Sequence, residues 1–415
     1  MGLLGLWGFV PFILCFLVLA YVPYQTHASS RSSISRKNLV LDPSLKGLCA
    51  SVVIGHGYKC HELEVTTKDG YILSLQRIPE GRYESGGIGT KKQPVIIQHG
   101  VLVDGMTWFM NSPEQNLPMI LADSGFDVWI VNSRGTRYSR RHISLDPSSE
   151  EFWNWCLDDL VSYDLTAVFD FVYNQTDQKI HYVGHSLGTL MALTSFSERQ
   201  LVHQVKSAAL LSPVAFLSHM KTALVVLAAR SLLSETFTLL RVAEFNPTGV
   251  LVKGYVRSIC AFPGVDCDDL LGAITGPNCC LNSSAVDQLL SHENLQPTST
   301  KNMVHLAQIV RYGVLAKYNH MEPKHIIQNP EHIFPQNYYN LSNIPHDLPL
   351  FLSYGGKDAL SDVADVHNLI DRLKSHDVDK LNVQYIKDYA HADHIMALNA
   401  KNIVYNAIVT FFKNQ

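Results

Sequence analysis

Between Ile180 and Leu190 the chain reads IHYVGHSLGTL: a short strand-forming run, a glycine-flanked His185-Ser186 pair, then small residues at helical spacing. A strand that turns directly into a helix leaves little room at the corner. Glycines on either side, here Gly184 and Gly188, remove the β-carbons that would collide there. The corner side chain, Ser186, is then lifted out of the sheet as a candidate nucleophile. The bland alternative is a serine in an ordinary strand-to-helix turn. Apolar Tyr182 and Val183 before it and the run Thr189 to Phe196 after it supply the strand and helix that the sharper reading needs.

The rest of the chain repeats that rhythm. VIIQH at 95–99, DVWIVN at 127–132, HYVGHS at 181–186, AALLSP at 208–213, FLSYGG at 351–356 and VQYIKDY at 383–389 read as strands. Most are continuous apolar runs, as expected of parallel strands covered on both faces. Ahead of them, CHELEVTTK and YILSLQRIP flank Asp69-Gly70 and predict a hairpin. Apolar stripes predict helices over Leu157 to Tyr173 and Ala397 to Phe412. The fold class is therefore α/β, with a mostly parallel sheet, helices on both faces and a leading antiparallel hairpin. From Val214 to about Pro345 the strand series stops, and that stretch is too long for a loop. It reads as a helical cap inserted into the core, whose Leu, Val and Ala content fits either ordinary helix packing or a lid that contacts lipid chains. The expected domains are a leader over 1–28, a flexible lead-in over 29–52, core over 53–213, cap over 214–345 and core again over 346–415.

Leu3 to Val22 are almost wholly apolar and the first charged side chain is Arg31. Such a run is an export signal or a membrane anchor, and Thr26-His27-Ala28 offers a small-residue cleavage site. Sequons at Asn174, Asn282 and Asn340 fit translocation and name these as candidate glycosylation sites. Cysteine use agrees with an oxidising compartment. Cys49 and Cys60 bracket a short loop and are expected to pair. One or two bridges are expected among Cys260, Cys267, Cys279 and Cys280, their connectivity open, with Cys156 left as a buried free thiol. A net charge of −4 leaves no basic footprint for nucleic acid, while 19 histidines would reverse its sign if all were protonated. No cofactor or metal is implied: His61-Glu62 is followed by Leu63-Glu64 rather than a second histidine at the zinc spacing, and Gly55-His56-Gly57 lacks the third glycine of a dinucleotide loop.

A serine hydroxyl needs an adjacent base, and the base needs a group to fix its tautomer. In elbow-type sites these follow in the order Ser, Asp or Glu, His. Asp358 stands directly beyond a strand and a Gly-Gly turn, at the sheet's carboxyl edge where α/β sites assemble. After the last strand, YAHADHIMAL offers His391 in a loop and His394 at a helix start, and the loop position favours His391. Asp393 reads as a cap for that helix, and His185 as packing that points away from the site. Oxyanion donors are expected from the amides of Leu187, directly after the nucleophile, and of Val101, in the turn that follows VIIQH.

With these residues placed, the chain resembles the acid lipase family of α/β-hydrolases, which includes gastric lipase, lysosomal acid lipase and plant secreted homologues. The likeness runs from about Val53 to the C-terminus, through QHGVLVDGMTW at 98–108, LADSGFDVWIVNSRGTRYSRRH at 121–142, FWNWCLDDLVSYDL at 152–165, VGHSLG at 183–188, GGKDALSD at 355–362 and YAHADHIMA at 389–397. It implies the α/β-hydrolase fold and hydrolysis of triacylglycerols or steryl esters at a lipid–water interface, and no stable protein partner is implied. It also implies a glycosylated protein that is secreted or held in a lysosome- or vacuole-like compartment. The same resemblance assigns Ser186, Asp358 and His391 as nucleophile, acid and base, and Val101 and Leu187 as oxyanion donors. Leu187 stands where the animal lipases carry Gln, which leaves the backbone donor intact. A carboxylesterase or acyltransferase on the same fold is the nearest alternative, and a non-catalytic binding protein on a hydrolase scaffold the alternative from another class.

Overall fold

The structure, a computed structural model, describes residues 47–84, 91–260, 269–290, 294–320 and 337–415, with backbone only over 257–260. Its centre is a sheet whose strands, in chain order, are β1 (His61–Thr66), β2 (Tyr71–Ile78), β3 (Pro94–Gln98), β4 (Asp127–Val131), β5 (Arg141–His142), β6 (Ile180–His185), β7 (Val205–Leu211), β10 (Leu350–Gly355) and β11 (Leu381–Ile386). A separate short pair, β8 (Glu244–Phe245) and β9 (Thr298–Ser299), lies in the insertion. The strands lie side by side as β1-β2-β4-β3-β6-β7-β10-β11, with β5 on β2. The β1–β2 and β2–β4 pairings are antiparallel and every pairing from β4 to β11 is parallel, the mixed sheet that the sequence predicts.

Side chains alternate across a strand, so continuous apolar runs supply two cores at once. Ile96, Trp129, Tyr182, Ala208 and Leu210 join the core on one face, with the helix Leu187–Ser197. Val95, Ile97, Val128, Ile130, Val183, Ala209 and Leu211 join the other, with the C-terminal helix Asn406–Lys413. Truncating one of the buried isoleucines or leucines among these to alanine costs on the order of 2–5 kcal/mol.

Two expected helices are each interrupted. Leu157 to Tyr173 resolves into a turn at Leu157–Asp159, a π-helical stretch Leu160–Leu165 and the α-helix Thr166–Thr176. The C-terminal helix likewise begins as a π-helical turn, Lys401–Tyr405. The lead-in was expected to be flexible as far as residue 52, yet Cys49–Val53 is helical and Leu48, Cys49 and Val53 are buried. Cys49 is disulfide-bonded to Cys60, which pins this segment to the start of β1. The apolar N-terminal run lies outside the described residues, and among the described residues no helix is long and apolar enough to cross a membrane.

One buried ion cluster joins the leading hairpin to the parallel sheet. Arg134, in the turn after β4, is 1% exposed. Its Nε donates to Asp164 at 2.7 Å, its Nη1 to Asp69 of the hairpin turn at 2.7 Å, and its guanidinium lies 3.8 Å from the Tyr71 ring centre. Removing the cation strands the Asp164 carboxylate without its partner in a dry site. Arg134→Met is therefore expected to destabilise the fold by about 3–5 kcal/mol in urea unfolding; a loss below about 1 kcal/mol would mean that water already reaches the cluster.

Candidate active site

Ser186 sits at the junction of β6 and the helix Leu187–Ser197 with φ 53° and ψ −114°. A non-glycine residue in this conformation carries backbone strain of roughly 1–3 kcal/mol, which persists only where surrounding bonds over-determine it. Here they do. The Ser186 amide donates to Leu211 O at 3.2 Å, its carbonyl accepts Thr189 Oγ1 at 2.6 Å, and the Tyr182 hydroxyl donates to Gly188 O at 2.7 Å. Leu187, the first residue of the helix, has an amide with no intrahelical acceptor. The turn after β3 lies directly alongside: a β-carbon on Gly100 would stand 3.1 Å from Ser186 Cβ, tight enough to press on the nucleophile.

Asp358 lies just past β10 and is 1% exposed. Its Oδ1 accepts the amides of Leu360 at 2.9 Å and Ser361 at 2.7 Å, which fixes the carboxylate before any side chain reaches it. Nδ1 of His391, after β11, lies 3.0 Å from Oδ1 and 2.9 Å from Oδ2. That contact places the proton on Nδ1 and turns Nε2 into an acceptor. Nε2 is buried and makes no hydrogen bond among the described residues. The structure thus closes the Asp358–His391 contact and leaves Ser186 unbonded to the imidazole, a common condition of such sites before substrate arrives.

Behind His391 stands a set of polar side chains that sequence reading did not place. His185, expected to point away, is buried, yet its ring centre lies 4.9 Å from that of His391 and its Nε2 lies 3.1 Å from His391 O. Ser212, at φ 47°, puts its hydroxyl 3.2 Å from the same carbonyl and 2.9 Å from Nδ1 of His394. His99 bonds Gly100 O through Nδ1 at 2.7 Å and accepts the Ser133 amide at Nε2, and so orients the turn that carries Val101. Asp393 does not cap its own helix; its carboxylate accepts the Ala390 amide at 2.7 Å. The only sequence signal for His99 was a histidine-glycine pair at a strand end.

Ser186, Val101 and Leu187 open on one cavity of about 190 Å³. Its other walls are apolar, apart from Ser234, and come from the insertion as well as the core: Val225 and Ala228 from the helix Ala223–Arg230, Met303 and Leu306 from the helix Thr300–Tyr312. Cys156 is a buried free thiol, as expected, and Cys279 is bonded to its neighbour Cys280, while the Cys260 and Cys267 side chains lie outside the described residues.

A sheet of this order, with a strained serine at the head of a helix and an Asp–His pair at the neighbouring strand ends, defines the α/β-hydrolase class. Comparison with known proteins agrees. A family model described as alpha/beta hydrolase fold matches residues 93–398, and one described as partial alpha/beta-hydrolase lipase region matches residues 49–112. The chain is 57% identical over 370 residues to triacylglycerol lipase 2 of Arabidopsis thaliana, covering 89% of this chain and 88% of that one. It is 36% identical over 365 residues to gastric triacylglycerol lipase of Homo sapiens, covering 85% and 88%. A solved structure titled "Lipase (Open form)" superposes with a TM-score of 0.54 at 17% identity, over 86% of this chain and 99% of that one, a likeness of fold alone. The chain belongs to the acid lipase family of α/β-hydrolases.

Burial holds the histidines around His391 in their neutral forms. Desolvation lowers His99 and His394 from 6.5 to about 4, and His185 well below its ordinary value. In the folded protein these rings stay neutral while the unfolded chain takes up protons as the pH falls below about 6.5. Their contribution to stability is complete above that value and is lost on acidification towards pH 4. His99→Gln removes one such group, so its unfolding free energy is expected to fall less steeply than wild type between about pH 6 and 4.5, by up to about 1.4 kcal/mol per unit. Parallel slopes for the two proteins in urea titrations would mean that His99 is charged in the fold.

Proposed function

We propose that this chain is a lipase that hydrolyses carboxylic esters of neutral lipids, triacylglycerols first among them, through Ser186, His391 and Asp358. One observation carries the reading: the strained Ser186 hydroxyl opens on a cavity whose remaining walls are almost wholly hydrocarbon. Residues 214–345 act as the cap that completes those walls.

His391 Nε2 takes the Ser186 proton as Oγ attacks the ester carbonyl, and Asp358 stabilises the imidazolium through Nδ1. The tetrahedral oxyanion is received by the amides of Val101 and Leu187, each worth roughly 3–4 kcal/mol of transition-state stabilisation. The alcohol leaves with the proton from His391, and water deacylates the serine by the same steps in reverse. Neither step asks for a metal or cofactor.

Ser186→Ala is expected to lower kcat on a soluble nitrophenyl ester by at least about 10⁴-fold with the unfolding midpoint unchanged. Fluorophosphonate is expected to label wild type at Ser186 only. A long-chain triacylglycerol emulsion should be turned over faster than the soluble ester; the opposite order with an acceptor alcohol present would favour the acyltransferase alternative, and activity retained in Ser186→Ala would end the assignment.

The secretory route belongs to the same proposal, with cleavage after residue 28 and delivery outside the cell or to a lysosome- or vacuole-like compartment. Asn174 and Asn340 are exposed and Asn282 half-buried, so glycan is expected on the first two at least. An endoglycosidase that removes no mass from protein expressed in a eukaryotic host would exclude it.

A further inference from the structure

The loop bearing His391 is not held by the core alone. A short segment of the insertion, Thr275 to Leu281, runs along residues 390–398 and bonds to them repeatedly. Thr275 O accepts both the His391 amide at 3.1 Å and the Ala359 amide at 3.2 Å, so one carbonyl ties together the backbones that carry the base and the acid. Gly276, at φ +94°, makes this approach possible, because a β-carbon there would lie 2.1 Å from Lys357 O. Further along, the Leu398 amide donates to Cys280 O at 2.9 Å and Leu281 bridges Ala397.

Between these contacts lies a buried carboxylate that no cation among the described residues pairs with. Asp393 is 0% exposed and enters no ion pair among the described residues. Its Oδ2 accepts the amides of Ala390 at 2.7 Å and Cys279 at 3.2 Å, and its Oδ1 that of Cys280 at 3.3 Å. Two of the three donors thus belong to consecutive residues, Cys279 and Cys280, whose side chains are joined to each other as a disulfide. A bond between neighbouring cysteines closes a small ring around their shared peptide and denies it free rotation. It keeps both N–H groups aimed at one acceptor. Without the ring either amide can turn to solvent, leaving a buried carboxylate short of donors, a condition that costs enough to move the group.

We infer that Asp393 is a positioning residue for His391, and that the Cys279–Cys280 disulfide sets its position and so the rate of the reaction. This rests on reading His391 as the base. Cys279 is exposed, within reach of a dithiol reductant. By thiol–disulfide exchange the bond takes two electrons and two protons from the reductant, which leaves as its own disulfide, and two thiols remain. The freed turn releases Asp393, and with it the backbone from Ala390 to His391.

The test uses the full-length protein, a soluble nitrophenyl ester and the rate of fluorophosphonate labelling of Ser186. Cys279→Ser/Cys280→Ser and Asp393→Asn are each expected to lower kcat and labelling rate together, by about 10- to 100-fold, with KM unchanged. A dithiol should bring wild type to the rate of the double variant and leave the double variant as it was, which separates this bond from Cys49–Cys60. Wild-type kcat and labelling in Asp393→Asn and in reduced wild type, whatever happens to the melting temperature, would overturn the inference. The His391→Ala control separates the two levels: if it remains active, the reading of the base has failed instead.

Discussion

Everything at this site depends on a backbone corner that a serine should not occupy. At φ 53° the Ser186 Cβ is crowded by its own chain, and the conformation survives because several independent bonds require it. The Ser186 amide reaches across to Leu211 O at the end of β7, while Thr189 Oγ1 both donates to Ser186 O and accepts the Val214 amide where the chain leaves for the insertion. The corner is therefore braced by the two strands and the helix that a parallel sheet brings together. An antiparallel pair could not supply that geometry, since its partner strand would end at the opposite edge.

The electrostatics follow from the same crowding. His99, His185 and His394 are buried near His391, and burial lowers all three. Among the described residues none of the three hydrogen-bonds to a carboxylate; they bond to carbonyls, an amide and a hydroxyl. His391 alone among them bonds to Asp358, itself pinned by two amides. Packing neutral imidazoles near the Asp358–His391 contact surrounds it without adding a competing base.

Legibility in the sequence tracked the range of the cause. The glycine-flanked corner at Ser186, the strand-end position of Asp358 and the loop position of His391 are local consequences of strand-to-turn chemistry, so a reader of the chain can find them. The cysteine pair at 49 and 60 is local as well. The contact of His185 with His391 joins residues 206 positions apart, and no periodicity announces it. Asp393 misled for a related reason: at a helix start the local rule predicts a cap, but nearby donors from the insertion and from Ala390 won the carboxylate. The π-helical stretches at Leu160–Leu165 and Lys401–Tyr405 escaped notice because one extra residue per turn still keeps an apolar stripe facing the core over so short a length. Cys49–Val53 was masked by the polar residues ahead of it, although Leu48 and Val53 had to go somewhere dry.

The cavity explains why the insertion is part of the chemistry rather than an ornament on the sheet. On the proposed function, the acyl chain of an ester at Ser186 would lie in the cavity lined by Leu187 and Leu190 of the core and Val225, Met303 and Leu306 of the insertion. Each methylene buried there contributes about 0.8 kcal/mol, so a chain of several carbons gains more from these walls than the carbonyl gains from one oxyanion donor. That gain raises kcat only if the chain is gripped in the pose that brings the carbonyl under the Ser186 hydroxyl. Arg311, on the helix Thr300–Tyr312, donates from Nη1 to Ala229 O of the helix Ala223–Arg230 at 2.7 Å and pairs through Nη2 with the fully buried Glu235 of the helix that follows, Leu233–Leu239. The buried Arg311–Glu235 pair ties the helix Thr300–Tyr312 to the helix Leu233–Leu239, and neither partner can be removed without stranding the other in an apolar setting. The insertion helices that wall the cavity are thus tied together by Arg311, through a carbonyl of one neighbour and a carboxylate of the other.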